Sequence, residues 1–143
     1  MRILALDVGS KRIGVAVSDE LGWTAQGLDT LICRDAETDV KRIHKLIADY
    51  HVTEVVVGMP YNMDGTEGPQ AQRVRAFMKR LSAGVDVLVK EWDERLTTVA
   101  AERPLLEADM SRAKRRKVID KLAAVIILQG YLESRHHGEL SHS

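Results

Sequence analysis

The sequence predicts an α/β fold in which helices flank a mixed β-sheet, and three observations lead to this prediction. Two short apolar runs, 3–6 and 13–17, lie on either side of a turn-like segment, which is typical of an antiparallel hairpin. Apolar residues then recur with a helical period over residues 36–50. A fully apolar, β-branched run at 55–57 is typical of a buried parallel strand. This order predicts a sheet that starts antiparallel and becomes parallel.

The first half of the chain is predicted in order from the same patterns. Residues 28–33 are expected to form a third strand after a loop that contains glycine. The helix over 36–50 carries its apolar residues on one stripe, formed by Val40, Ile43, Leu46 and Ile47. A long loop, 58–68, is rich in glycine and other turn residues. We expect this loop to be mobile, because it has little apolar surface to bury.

The second half of the chain is predicted to be mainly helical. A second helix is expected over 69–81, and another strand over 85–89. The segment after that strand has a helical pattern, but Pro104 lies inside it and predicts a kink or a break. A last helix is expected over 118–134, on which small apolar residues form one face.

Composition limits the class of protein. The chain has 143 residues, and its 21 Lys and Arg balance its 21 Asp and Glu, which excludes a global polycation of the histone kind. A single cysteine, Cys33, excludes a scaffold of internal disulfides. No apolar run reaches the roughly 20 residues that span a bilayer, so we expect a cytoplasmic protein without membrane contact. One domain is expected over 1–135, followed by a flexible polar tail at 136–143.

Carboxylates at two strand ends and on one helix face are the strongest candidates for chemistry. Asp7 ends the first strand, Asp93 and Glu94 end the last one, and Asp120 lies on a small-residue helix face. Each also has a purely structural interpretation. Asp7 could simply start a turn, Asp93 and Glu94 could form an exposed charged turn, and Asp120 could be an acid in the first turn of a helix, where the helix dipole favours it. If the elements are neighbours, three carboxylates converge, and a site without Cys or His suits Mg²⁺ or Mn²⁺. Two such ions can hydrolyse a phosphodiester.

Several polar and cationic side chains are predicted to contact nucleic acid. Five cations lie between residues 112 and 117 with no acid among them, namely Arg112, Lys114, Arg115, Arg116 and Lys117. Beside a carboxylate site, such a run is expected to contact the phosphates of the nucleic-acid backbone, although a run of charges can also be only a solvent-exposed helix face. Asn62 and Thr66 of the 58–68 loop offer hydrogen bonds to phosphate. Lys11, Arg12 and Arg95, next to the carboxylates, are assigned to the same contact.

Four stretches together resemble a known family. They are ALDVGSKRIGVA from residue 5, VGMPYNMDGTEGPQA from residue 57, DERLTT from residue 93 and IDKLAAVIILQGYL from residue 119. These stretches are similar to those of the YqgF family, also called RuvX, the RuvC-like Holliday junction resolvases of the RNase H-like superfamily. The resemblance implies an RNase H-like fold with a five-stranded mixed sheet. It also implies a metal-dependent nuclease of the bacterial cytoplasm that processes the 5′ end of precursor 16S ribosomal RNA.

The same resemblance assigns the catalytic and metal-binding residues. The acidic positions of the family fall on Asp7, on the pair Asp93 and Glu94, and on Asp120. Within the pair, Glu94 is favoured as the metal ligand, and Asp93 is expected to pair with Arg95. The predicted catalytic and metal-binding set is therefore Asp7, Glu94 and Asp120, with Mg²⁺ or Mn²⁺ as cofactor and two ions expected.

Other functions are compatible with parts of the pattern. A DNA Holliday junction resolvase would need a dimer with two sites facing one junction. Residues 7–12 also resemble the first phosphate loop of actin-like ATPases and sugar kinases, but those proteins enclose a nucleotide between two domains. A non-catalytic ribosome-assembly factor would use the 112–117 run alone and would not need converging carboxylates. Structured RNA and branched DNA, endo- and exonuclease action, and monomer and homodimer are all left open.

Overall fold

A computed structural model describes the fold over residues 2–96 and 112–141. Within the last helix, side chains are described between residues 121 and 136. The expected kink or break at Pro104 lies outside the described residues. None of the described helices combines the length and the apolar character that crossing a bilayer requires.

The centre of the molecule is a mixed sheet of six described strands. In chain order they are β1 (Arg2–Val8), β2 (Arg12–Ser18), β3 (Ala25–Gly27), β4 (Leu31–Ile32), β5 (Val52–Met59) and β6 (Leu88–Asp93). Five of them are ordered β3-β2-β1-β5-β6, and β4 pairs with β2 beside β3. β1 and β2 are antiparallel, whereas β5 is parallel to both β1 and β6. The predicted hairpin and the predicted change from antiparallel to parallel pairing are confirmed.

Three helices pack on this sheet, namely α1 (Ala36–Asp49), α2 (Pro69–Ala83) and α3 (Arg112–Ser141). Asp35 caps α1, because its carboxylate accepts a hydrogen bond of 2.8 Å from the backbone N–H of Thr38. α2 begins with Pro69, whose missing N–H costs nothing in a first helical turn. A short 3-10 helix, Glu94–Leu96, follows β6 directly.

The two faces of the sheet are buried by different helices. On one face, Leu4, Leu6, Val55 and Val57 pack against the apolar stripes of α1 and α2. On the other face, buried apolar residues of the strands pack against α3 through Ala123, Ala124, Ile127, Leu128, Tyr131 and Leu132. Successive strand residues point to opposite faces, so a residue's place in a strand decides which helices it meets.

Some element bounds differ from those predicted. Of the strand expected at 28–33, only Leu31–Ile32 is a strand, β4, and another short strand, β3, precedes the expected range. Both pair with β2, and between them the N–H of Leu28 still donates to the carbonyl oxygen of Val15 at 2.8 Å. β6 begins at Leu88, where its pairing with Glu54 of β5 starts. The earlier apolar residues Val85 and Val87 are partly buried against the core instead, so hydrophobicity alone placed this strand too early.

The last helix is longer than predicted at both ends. It begins at Arg112 rather than near residue 118, so the basic run belongs to the helix. It also continues past residue 134 to Ser141. Beyond residue 135, the His136 ring stacks on Trp23 with 3.8 Å between ring centroids, and its Nε2 lies 2.9 Å from the carbonyl oxygen of Gly22. The helical backbone therefore includes most of the segment that was expected to be a flexible tail.

Candidate active site

The position of Asp7 in β1 directs its carboxylate to the α3 face of the sheet. Ile3 and Ala5 of the same strand are buried on that face, and alternation places Asp7 there as well. Asp7 is half-buried near the carboxyl end of β1, and its cross-strand partner in β2 is Gly14, which has no side chain to cover it. An acid in this place is held by the sheet and still reaches solvent.

The β1–β2 turn beside Asp7 is tight and requires glycine. The backbone N–H of Gly9 donates a hydrogen bond of 2.8 Å to the carbonyl oxygen of Arg12. A Cβ on Gly9 would lie 2.8 Å from the same oxygen, closer than such atoms approach. Lys11 is exposed in this turn, and the Nε of half-buried Arg12 is buried without a hydrogen-bond partner among the described residues. Both predicted nucleic-acid contacts therefore lie within five residues of Asp7.

Glu94 reaches the same face of the sheet because Gly58 leaves room for it. Gly58 lies near the carboxyl end of β5 and pairs with Trp92 of β6. A Cβ on Gly58 would lie 2.9 Å from Glu94 Oε1 and 2.6 Å from Ile127 Cδ1. Neither distance leaves room for a methyl group, so the absence of a side chain brings the Glu94 carboxylate and α3 together. This role of Gly58 cannot be read from the sequence, because its two neighbours are 36 and 69 residues away.

The direction of α3 determines where Asp120 belongs. The Tyr131 hydroxyl donates a hydrogen bond to Glu54 near the start of β5, whereas Ile127 lies against Gly58 near its end. α3 therefore runs opposite to β5 between these two contacts. Its earlier residues Lys121 and Val125 lie against Gly27 of β3, so the helix crosses the sheet obliquely. Asp120 precedes Ile127 by two turns, about 10 Å along the helix axis.

The side chain of Asp120 lies outside the described residues, so its convergence with Asp7 and Glu94 stays a prediction. Its helical neighbours at positions +3, +4 and +7 are Ala123, Ala124 and Ile127, all of which are buried against the sheet. The helix stripe that carries Asp120 is therefore the stripe that meets the sheet.

Asp93 and Glu94 have different roles in the structure. Asp93 forms an ion pair with Arg95, with 2.7 Å between Asp93 Oδ2 and Arg95 Nη2. The hydrogen bonds from the Arg95 side chain lower the pKa of Asp93, and the same bonds raise the pKa of Arg95. The expected pairing of Asp93 with Arg95 is confirmed. The Arg95 guanidinium also lies 5.5 Å from the centre of the Tyr61 ring, so it is held from two sides.

Sequence reasoning missed a polar network that supports this end of the sheet. The Tyr61 hydroxyl donates a hydrogen bond to Glu91 of β6 and accepts one of 3.1 Å from Arg75 of α2. Arg75 also forms ion pairs with Glu67 and, at 3.0 Å, with Glu91. The bond to Glu91 raises the pKa of Tyr61. No local sequence signal could have found this network, because its members come from three separate segments, the 58–68 loop, α2 and β6.

The 58–68 loop is cross-linked by its own hydrogen bonds. The backbone N–H of Asn62 donates to the Thr66 carbonyl oxygen at 2.9 Å, and Asn62 Nδ2 donates to Thr66 Oγ1 at 2.9 Å. Thr66 donates to Asp64 Oδ1 from its N–H at 3.0 Å and from its hydroxyl at 2.6 Å. Gly65 has φ of 88°, which favours glycine. Contact of Asn62 and Thr66 with phosphate stays a prediction, and it would compete with these bonds.

The remaining candidates concern cations and metal. The side chains of the basic run at the start of α3 lie outside the described residues, so their contact with phosphate stays a prediction. Among the described residues, no three His, Cys, Asp or Glu side chains form a group that could hold a metal. The predicted set includes Asp120, whose side chain lies outside the described residues, so this finding does not bear on the set. Its donors are carboxylate oxygens only, which fits Mg²⁺ or Mn²⁺ and not zinc.

Comparison with known proteins assigns the chain to a family. A family model described as RuvX, Holliday junction resolvase, matches residues 1–134. A relative from Desulforamulus reducens is 55% identical over 134 residues, which are 94% of this chain and 98% of the relative. A relative from Bacillus subtilis is 55% identical over 136 residues, which are 94% of this chain and 99% of the relative. Both are provisionally named pre-16S rRNA nuclease.

Solved structures support the predicted fold. RuvC from Thermus thermophilus is 15% identical, covers 96% of this chain and 97% of its own, and has a TM-score of 0.55. The Holliday junction resolvase of fowlpox virus is 16% identical, covers 94% of this chain and 99% of its own, and has a TM-score of 0.53. These likenesses confirm the RNase H-like fold. The family model over residues 1–134 and the relatives at 55% identity show that the chain belongs to the RuvX family.

Proposed function

We propose that this protein is a metal-dependent nuclease that processes the 5′ end of precursor 16S ribosomal RNA. One observation of the structure carries the proposal. Asp7 and Glu94 lie on the same face of the sheet, at the carboxyl ends of β1 and β6 on either side of β5, and Ile127 of α3 lies against Gly58 of β5 between them. The provisional name of the relatives, at 55% identity over almost the whole chain, favours RNA as the substrate.

The residues proposed to hold the metal are Asp7, Glu94 and Asp120. When bound, a pair of divalent ions supplies an activated water and stabilises the leaving oxygen in phosphodiester hydrolysis. The chain's own contribution is to orient the ligands. The sheet holds Asp7, and Gly58 admits Glu94. Asp93 is engaged by Arg95, which leaves Glu94 as the carboxylate that faces α3.

Cations around this site are proposed to offset its negative charge. Three adjacent carboxylates repel a polyanion, so phosphates need a local cationic contact in a chain whose net charge is zero. Lys11 and Arg12 belong to the turn that follows Asp7. The basic run from Arg112 to Lys117 belongs to the part of α3 that precedes Asp120, on the side away from Ile127. We propose both groups as phosphate contacts that do not read sequence.

The test is cleavage of a labelled precursor 16S rRNA fragment and of a labelled four-way DNA junction, each with Mg²⁺, Mn²⁺ or EDTA. We expect metal-dependent cleavage of the RNA that is lost in D7N, E94Q and D120N. D49N is the matched control, because Asp49 is an exposed acid at the end of α1. Cleavage of the junction alone would assign the protein to DNA resolution. Undiminished RNA cleavage by all three carboxylate variants would refute the proposed site.

A further inference from the structure

A cavity of about 450 Å³ opens on the face of the sheet opposite the carboxylates. The β1–β2 turn contributes Gly9 and Ser10 to its lining, and three arginines line it as well. Arg34 precedes α1, whereas Arg73 and Arg80 are two turns apart on α2. The volume falls in the range of small-ligand pockets, roughly 300–1,000 Å³. The sequence offered no signal for it, because the three arginines are far apart in the chain.

The arginines of this cavity are free to bind an anion. No ion pair or side-chain hydrogen bond engages Arg34, Arg73 or Arg80 within the described part of the chain, and all three are exposed. The cavity also contains two acids, Asp35 and Asp39, and both are already occupied.

The two acids take their hydrogen bonds from other groups, and of the three arginines only Arg34 acts on Asp35 through its charge. The Asp35 carboxylate caps α1 by accepting from the N–H and the hydroxyl of Thr38, and these bonds lower its pKa. Asp39 is buried and accepts from the backbone N–H of Arg34 at 3.1 Å and from Arg42 Nη1 at 3.4 Å. Guanidinium groups bind phosphate oxygens in pairs, so an anionic ligand would satisfy donors that the protein itself does not.

The cavity adjoins the catalytic strand end. Val8 lines it and is the residue after Asp7, and consecutive Cα atoms lie 3.8 Å apart. Asp7 faces α3 and Val8 packs on the opposite side, against the core that α1 and α2 cover. A strand whose phosphate lies at Asp7 and which crosses the carboxyl end of β1 would therefore enter the cavity next. Phe77 and Ala76 give the cavity an apolar wall as well as cations.

We propose that this cavity binds one nucleotide of the substrate strand beside the scissile phosphate. Arg34, Arg73 and Arg80 hold its phosphate, and the wall formed by Val8, Ala76 and Phe77 holds its sugar or base. This inference rests on the proposed nuclease function. A free nucleoside monophosphate shares the same chemistry, so the experiment separates the two sources.

The first measurement is binding of a fluorescein-labelled single-stranded RNA in EDTA, where no cleavage occurs. We expect R73A and R80A each to weaken binding about tenfold, equivalent to about 1.4 kcal/mol. The log–log salt dependence should flatten by about 0.7 for each lost contact. K79A and K45A are matched controls, because each removes an exposed lysine of α2 or α1 outside the cavity, and they should bind as the wild type does. R73K keeps the positive charge but lacks the guanidinium group. It should therefore recover part of the affinity that R73A loses.

The second measurement is competition by nucleoside 5′-monophosphate, together with steady-state cleavage. We expect the monophosphate to displace the RNA weakly, and R73A to raise KM while its metal requirement stays unchanged. Cleavage and RNA binding by R73A and R80A equal to those of K79A would overturn the inference and leave the proposed function intact. Arginine-dependent binding of the monophosphate with no change in RNA affinity would also overturn it. Arginine-dependent RNA binding without any cleavage by the wild type would instead refute the proposed function and retain the cavity.

Discussion

At Gly58, a hydrogen atom in place of a methyl group determines how closely Glu94 approaches α3. A Cβ there would lie 2.6 Å from Ile127 Cδ1 and 2.9 Å from Glu94 Oε1. G58A should therefore lower the free energy of unfolding by about 1–3 kcal/mol through overpacking, and displace Glu94. We expect metal-dependent cleavage to fall more than the folded fraction does, as judged by urea unfolding and turnover of the same sample.

The control for this variant is G27A. A Cβ on Gly27 would also meet α3, but its closest neighbours are Cε and Cγ of Lys121, at 2.7 and 2.8 Å. Val125 Cγ2 would lie at 3.2 Å as well, so G27A should also lower the free energy of unfolding through overpacking. It does not contact Glu94, so turnover per folded molecule should stay close to that of the wild type. Equal turnover in G58A and the wild type would show that Glu94 does not need this approach to α3.

Asp93 allows a second prediction at the scale of one residue, concerning acid stability. Arg95 lowers the pKa of Asp93 below its ordinary value of 3.8 in the folded protein. The ion pair therefore contributes stability above pH 3.8, and this contribution is lost as the pH falls through the depressed pKa. D93N should lower the urea midpoint at pH 7, and the difference from the wild type should shrink progressively below pH 3.8. A difference that is constant from pH 7 to pH 2 would contradict this account.

At the scale of one element, α3 is anchored by a buried polar cluster at the end away from the carboxylates. Glu54 of β5 is 8% exposed and accepts from the Tyr131 hydroxyl, from Lys90 Nζ at 3.2 Å and from Arg135 Nη1 at 3.1 Å. Burial of a carboxylate is costly unless its oxygens are satisfied, and here donors come from α3 and β6 together. The cluster therefore holds α3 at one position along β5.

The prediction for this element is that Y131F weakens the attachment of α3. Removing the hydroxyl leaves Glu54 with one donor fewer, which should lower the free energy of unfolding by about 1–3 kcal/mol in a thermal or urea transition. Y50F is the control, because the described structure shows no hydrogen bond from the Tyr50 hydroxyl. Equal stability of Y131F and Y50F would contradict this role.

The same cluster should make stability depend on pH. Bonds to Glu54 and Tyr131 raise the pKa of Lys90. The contribution of the cluster to stability should therefore persist below pH 10.5 and be lost as the pH rises through the raised pKa.

At the scale of the whole molecule, the sequence predicted what local periodicity determines. The apolar runs of β1, β2 and β5 and the stripe of α1 were sufficient for the mixed sheet, because burial decides each of them. The start of β6 was missed because pairing with β5, and not hydrophobicity, determines it. Asp7 and Glu94 were found as strand-end acids. Gly58, Tyr61 and the arginine cavity were not, because each depends on contacts between segments distant in the chain.

Charge distribution gives the last prediction, which concerns how the whole molecule meets a polyanion. The chain is neutral overall, so attraction depends on local cations, and the run from Arg112 to Lys117 is the densest of them. If it contacts phosphates, R115A/R116A should weaken binding to every RNA or DNA strand by a similar factor, because backbone contacts carry no sequence information. Each lost contact with a single strand should reduce the slope of the logarithm of the binding constant against the logarithm of the salt concentration by about 0.7, or about 1.4 for both.

The control is K45A/K79A, which removes the same charge from α1 and α2 outside the cavity and should leave this slope unchanged. An unchanged slope in R115A/R116A would mean that this part of α3 faces solvent, and the arginine cavity and the β1–β2 turn would then have to supply the attraction.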